Sequence, residues 1–480
     1  MKQFFLILLL AMGHFTNIAQ SSLQSKISAF TKANNLKSAN ISIDVRDLTT
    51  NQSLAAYQAD KSLSPASSVK LFITAIALDK LGKDFKYKTE LRHDGTAEKG
   101  KLNGNLYIVG SGDPTLGSDQ LPSGLHLNQL LEKFCISLQE KEMTSINGNI
   151  IADASCFDSA VIPPTWPWID LGNYYACGTH GLNVHENFYY LTIDQTPKIS
   201  ARPDCCGTDP NIPELNFNNE LLTAAPNSGD NAYIYGAPYT FTRFIRGTIP
   251  AGNGTFIIKG SIPDPPLLMA QLLKKSLGQY YLSATGNAQT TFLKSQKTYP
   301  IMTHESPSLL EIVRRTNLKS VNLYAEALLK TLGKEFKYEG SFKKGLEYVA
   351  EYLKQKGCNT DGLFLMDGSG LSPNNGVSAS HFTQLLKIIF DNKSLYDNFK
   401  STLPISGQTG TMKHLLKNSP ATGKLYVKSG SMERVRSYTG FASTQSGKTV
   451  GFSIIVNNYQ GSARPLVKEI EKLMLEIYRE

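Results

Sequence analysis

Ser67-Ser68-Val69-Lys70 places a hydroxyl and an amine three residues apart, at the entrance to the run Leu71-Phe72-Ile73-Thr74-Ala75-Ile76-Ala77-Leu78. A run that is apolar on nearly every side predicts a helix buried in a core, and Gly82 supplies its C-terminal stop. Residues at i and i+3 share a helix face, so the two polar groups must meet where this central helix begins. A serine hydroxyl is a poor nucleophile until a neighbour takes its proton, and a partly desolvated lysine one turn away can be that base. The bland alternative for Ser67 is an ordinary helix N-cap. The same spacing recurs at Ser341-Phe342-Lys343-Lys344, but that lysine-rich stretch reads as solvated surface.

Acyl transfer by such a pair needs two further elements. One is a polar pair on the opposite wall of the cleft; the other is a cationic strand that closes it and supplies an oxyanion-hole amide. Ser-x-Asn occurs after Lys70 at Ser145-Asn147, Ser320-Asn322 and Ser372-Asn374. Of these, Ser320-Val321-Asn322 opens a good helical run, which would hold both side chains rigidly at its start. Lys428-Ser429-Gly430 is the only Lys-Ser/Thr-Gly in the chain and follows the strand-like Lys424-Leu425-Tyr426-Val427. Gly430 lets a ligand approach the backbone closely.

These three motifs, in this order, resemble the low-molecular-mass class C penicillin-binding proteins, the D-alanyl-D-alanine carboxypeptidases and endopeptidases. The resemblance extends over nearly the whole mature chain. It includes Gly110-Ser111-Gly112-Asp113-Pro114-Thr115-Leu116, the stretch from Pro163 to Tyr175, and Asp367-Gly368-Ser369-Gly370-Leu371-Ser372. Two positions depart from the family's pattern: Ser429 stands where the family usually has Thr, and Val321 where it often has Asp. The resemblance implies an acyl-enzyme mechanism with Ser67 as nucleophile and Lys70 as base. Ser320 would relay a proton to the leaving amine, Asn322 would hold the substrate's amide, and Lys428 with Ser429 and Ser431 would attract its terminal carboxylate. The amides of Ser67 and Ser431 would form the oxyanion hole. Peptidoglycan peptides are the implied substrates and β-lactams the implied covalent inhibitors, with no cofactor and no metal. Two rival readings are a β-lactamase or esterase on the same scaffold, and an idle wall-binding module.

The chain from Ser67 to Ser320 takes up more than half of the 480 residues. That is too long for the helical subdomain of a compact serine β-lactamase, so a module must be inserted. Roughly residues 86–288 carry short β-type runs such as Leu106–Val109 and Thr255–Ile258 between Gly, Pro and Asn clusters, and read as mostly β, with room for two subdomains. Residues 20–85 and 289–480 would then form one discontinuous catalytic domain. Ile41–Val45 and Leu54–Tyr57 flank the turn-like Thr49-Thr50-Asn51 as a hairpin, and Val435–Phe441 and Val450–Val456 add strands. Leu466, Val467, Ile470, Leu473, Met474 and Ile477 recur at helical spacing and predict a core-facing terminal helix. The expected fold is α+β: a penicillin-binding, serine β-lactamase-like transpeptidase-type domain, its antiparallel sheet flanked by helices, with a large insertion.

Residues 1–19 read as an export signal, with Lys2 ahead of Phe4–Met12 and a polar stretch ending in Ile18-Ala19. The apolar stretch is too short to span a bilayer. No other segment reads as a membrane anchor, and no cysteine precedes Cys135 to carry a lipid. Six cysteines in 480 residues are not a disulfide scaffold, although Cys177 with Cys205 or Cys206 is a candidate pair. Lys and Arg exceed Asp and Glu by 49 to 40, without a dense basic run, which argues against nucleic-acid binding. Cys-x-x-Cys is absent, and His180 with His185-Glu186 lacks zinc-protease spacing. No Gly-x-Ser-x-Gly elbow competes for the nucleophile's role. Export should remove the segment ending near Ala19 and release the protein into the periplasm of a Gram-negative cell. Fractionation with N-terminal sequencing checks this, and full-length chain retained in the inner membrane would contradict it.

Overall fold

A computed structural model describes residues 22–294 and 297–480. The expected export signal at 1–19 lies outside the described residues. Five antiparallel strands form the central sheet, in the order Leu425–Met432, Val435–Ser443, Thr449–Asn457, Asn40–Asp47, Ser53–Tyr57. The hairpin at Thr49–Asn51 is formed, with Asn51 in the left-handed conformation such turns demand.

Strand alternation gives the sheet two different faces. Ile43, Val45, Phe452 and Ile454 point to one side, where helices Ser22–Thr31 and Ala463–Arg479 cover them. Phe441 and Ile455 point to the other, packing with the Lys70 helix (Lys70–Leu81) and with Ala379–Asp391. The antiparallel sheet flanked by helices is therefore present, and the Lys70 helix is buried on almost every side, as its composition requires. Gly82 ends it at a φ of 82°.

Between Lys88 and Glu305 the described residues build four further sheets and two long helices, Leu127–Glu140 and Pro265–Gln279. Tyr299–Glu305 pairs antiparallel with Lys88–His93, with Glu305 opposite Lys88. The strands that enter and leave this region are thus neighbours, and its pairing runs to Glu305. Several contacts fasten the region to the helix Asn322–Lys337: Lys330 Nζ donates to Asp158 at 2.8 Å, and Tyr324 OH donates to Glu186 at 2.7 Å.

Two expectations are corrected. All six cysteines are free: Cys177 is enclosed and directs its thiol at the Glu186 carbonyl, while Cys206 is exposed on Asp204–Asp209. Ser341 is buried, not solvated, because its hydroxyl caps the helix Phe342–Gln355 by accepting from Lys344 N at 3.2 Å.

The terminal helix directs Leu466, Ile470, Leu473, Met474 and Ile477 into the core. Among the described residues no helix is long and apolar enough to cross a membrane. Ile470 is fully buried, so Ile470→Ala should lower the unfolding free energy by about 2–5 kcal/mol, measured by denaturant titration. A change within about 0.5 kcal/mol, the size expected at a surface position, would contradict a core-facing stripe.

Candidate active site

Ser67 lies in a tight 3₁₀ turn, Ala66–Val69, that runs directly into the Lys70 helix. The Lys70 side chain is fully buried, and its Nζ lies 2.9 Å from Ser67 Oγ. It also lies 2.6 Å from Asn322 Oδ1 and 2.6 Å from the Ser369 carbonyl. Those two oxygens can only accept hydrogen bonds, so a neutral amine would spend both N–H groups on them. Its lone pair then points at the Ser67 hydroxyl. Burial lowers the Lys70 pKa to about 7, against the opposing pull of Asp367 and Glu326. Asn322 is itself oriented, because its Nδ2 donates to the Tyr175 carbonyl at 2.7 Å.

Ser320 does not open a helix. It closes Leu309–Lys319 in the left-handed conformation (φ 59°, ψ 39°), and Asn322 alone begins the next helix. Both side chains nevertheless reach the cleft, because the left-handed residue reverses the chain between two rigid helices. Such a conformation is uncommon outside glycine and often marks a functional turn. Lys428 Nζ donates to Ser320 Oγ at 2.9 Å and to the Ser429 carbonyl at 2.7 Å. Lys428 is also fully buried, and desolvation, aided by nearby Lys70, holds its pKa well below the usual lysine range. Ser429 Oγ donates to Thr411 Oγ1 at 2.7 Å. Ser431 stands exposed farther along the same strand, opposite Arg436.

Two glycines let the walls close. A Cβ on Gly430 would lie 2.4 Å from the Pro65 carbonyl and 3.0 Å from Ser67 N, so only glycine brings the Lys428 strand against the Ser67 turn. A Cβ on Gly370, at a φ of 80°, would lie 1.9 Å from the Ala66 carbonyl. The serine turn is thus gripped between a strand and a loop.

Motif reading gave no role to that loop, Asp367–Ser372, or to Glu326. Glu326 is fully buried one turn after Asn322, and its carboxylate accepts the N–H groups of Gly368 and Ser369, the latter at 2.7 Å. Asp367 accepts from Gly370 N at 2.8 Å, from Ser372 N at 2.7 Å and from Trp166 Nε1 at 2.8 Å. Together they fix the Ser369 carbonyl that holds Lys70. Burial first, and neighbouring Asp367 second, push the Glu326 pKa up. The Asp-Gly-Ser-Gly-Leu-Ser run was the available sequence signal for the loop; nothing marked Glu326.

Gly430→Ala should separate strand from turn. We expect at least tenfold slower acylation by a β-lactam, with far-UV circular dichroism unchanged. Wild-type acylation rates in this variant would mean that the close approach is dispensable.

Residues 23–478 match the model of the D-Ala-D-Ala carboxypeptidase 3 (S13) family. A D-alanyl-D-alanine carboxypeptidase of an Actinomadura species is 26% identical over 95% of this chain and 85% of its own length. The crystal structure of penicillin binding protein 4 from Haemophilus influenzae is similar with a TM-score of 0.83, at 23% identity over 95% of this chain and 99% of that one. The same protein complexed with a β-lactam matches with a TM-score of 0.78, at 23% identity over 95% of this chain and 100% of the other. With a central sheet, a serine held against a buried lysine and a family match over almost its full length, the chain belongs to the D-Ala-D-Ala carboxypeptidase 3 (S13) family of serine peptidases.

Proposed function

We propose that the protein cleaves D-alanyl-D-alanine termini, and the equivalent D-alanyl bond of cross-links, in peptidoglycan stem peptides, with Ser67 as nucleophile and Lys70 as general base. The observation that carries the proposal is the buried Lys70 amine, 2.9 Å from Ser67 Oγ with two carbonyl-type acceptors for its N–H groups. As the Ser67 oxygen attacks the carbonyl, its proton passes to Lys70 Nζ. The resulting ammonium keeps all three hydrogen-bond partners. Backbone N–H groups of Ser67 and Ser431 take the oxyanion, a contribution of about 3–4 kcal/mol per donor.

Ser320, held by Lys428, relays the proton that Lys70 took from Ser67 to the departing amine, which leaves Lys70 neutral again, and Asn322 accepts from or donates to the peptide lying above it. Lys428 with Ser429 and Ser431 binds the terminal carboxylate. An arriving carboxylate favours the charged form of Lys428 and so offsets the desolvation that holds its pKa down. Water then releases the acyl group. The catalytic unit comprises residues 22–87 and 306–480, with the intervening sheets as a separate module. Export to the periplasm, where the substrate lies, accords with the sequence of residues 1–19.

An idle wall-binding module would need Ser67, Lys70 or Lys428 displaced from its partners, and the 2.9 Å Lys70–Ser67 and Lys428–Ser320 contacts argue against that. The β-lactam complex of the Haemophilus relative supports β-lactam binding by this chain. Peptide mapping after penicillin treatment should place the adduct on Ser67, and Ser67→Ala should abolish both labelling and turnover. Lys70→Ala should slow acylation by roughly 10²–10⁴-fold. Defined muropeptide monomers and cross-linked dimers, with products read by mass, should both be cut. Labelling at Ser68 or Ser341, or unimpaired acylation without Lys70, would overturn the assignment.

A further inference from the structure

Beside the Ser320–Asn322 turn lies a cavity of about 300 Å³, most of whose lining has no part in the mechanism above. Neither Ser67 nor Lys70 lines it, so its occupant is not the reacting carbonyl. Ser320 does line it, and Ser320 is the residue assigned to the departing amine. The cavity therefore starts where the leaving group exits.

Its charge is unbalanced. Lys259, Arg315 and Lys319 line it against one carboxylate, Glu186. That carboxylate is already committed: it accepts from Tyr324 OH at 2.7 Å and from Ser118 Oγ at 2.7 Å, and Arg315 Nη2 stands 3.8 Å away. The turn His185–Asn187 that delivers Glu186 holds three successive non-glycine residues at φ between 51° and 55°. Such strain persists only where the surroundings over-determine it.

Lys259 has no carboxylate partner among the described residues. Its ammonium is instead caged by three rings, 4.9 Å from Phe188, 5.0 Å from Tyr190 and 5.6 Å from Tyr174. The cage holds the cation in place at the cavity wall without neutralising it. Lys319 is exposed at the cavity rim and likewise has no ion pair among the described residues. A preorganised cation beside a second one, in a partly closed cavity, is suited to binding an anion.

Resting on the proposed function, we infer that this cavity is a subsite for a carboxylate on the departing peptide, and that it favours cross-linked substrates over single stems. In a cross-linked dimer the leaving amine belongs to a second stem peptide, whose own terminal carboxylate lies beyond the scissile bond. A released D-alanine carries only the carboxylate that Lys428 receives. The second carboxylate is the group Lys259 and Lys319 bind.

The test uses cross-linked dimers whose departing peptide ends in a free carboxylate or a carboxamide, with a third dimer amidated on the acyl-donating peptide instead. Rates are normalised to active sites counted by β-lactam labelling of the same preparation. For the wild-type protein, amidating the departing peptide should lower kcat/KM about tenfold, chiefly through KM, and amidating the acyl donor should not. Lys259→Met, which preserves the packing of the cage, should lose the discrimination. Lys319→Gln, at an exposed position, should reduce it. Indifference to the departing carboxylate, sensitivity on the acyl-donor side, or full discrimination in both variants would overturn the subsite. Failure of the wild-type protein to take up a β-lactam at Ser67 would instead overturn the functional reading beneath it.

Discussion

The dry enclosure of one amine organises this molecule. An ammonium removed from water without partners is expensive, and the group escapes the cost by giving up its proton. Lys70 is placed in that position with acceptors at 2.6 Å on two sides and the Ser67 hydroxyl on the third. Each neighbouring element serves the enclosure. The Lys70 helix runs through the core, the turn after Lys319 brings Asn322 across, and Gly430 and Gly370 let strand and loop close on the serine.

Electrostatics explain why the Lys70 pKa is lowered. Two carboxylates lie close enough to raise the Lys70 pKa, yet neither forms an ion pair with it among the described residues. Glu326 is occupied by backbone N–H groups of Gly368 and Ser369, and Asp367 by Gly370 N, Ser372 N and Trp166. Directing those charges at the loop, not at the lysine, lets desolvation win. A direct buried pair would have held Lys70 protonated and useless as a base. Lys428 is subject to the same desolvation, and Lys70 as neighbour lowers its pKa further. The site thus holds two amines that burial disposes to stay uncharged.

Features governed by local periodicity were legible in the sequence: the helix from Lys70 to Leu81, the hairpin around Asn51, the strands near Lys428 and the terminal helix's apolar stripe. The three motifs were legible because chemistry restricts their residue types. What escaped depends on partners distant in sequence. Glu326 reads as an ordinary helical glutamate, since its acceptors' donors lie more than forty positions away. The pairing of Tyr299–Glu305 with Lys88–His93 likewise joins strands some two hundred positions apart. Ser320 looked like the start of a helix because its left-handed conformation is imposed by the two helices it joins, not by serine's own preference. The cysteine pairing failed for the same reason: a thiol's neighbours are a tertiary property.

The central claim is that Lys70 is a neutral amine when catalysis begins. Isotope-edited NMR of lysine-labelled protein, with the Lys70 signal assigned by its loss in Lys70→Arg, reads that titration directly. A midpoint near pH 7, with acylation of Ser67 rising through the same range as the free amine appears, is the predicted result. A Lys70 amine that stays protonated to about pH 10, the ordinary lysine range, would contradict the account.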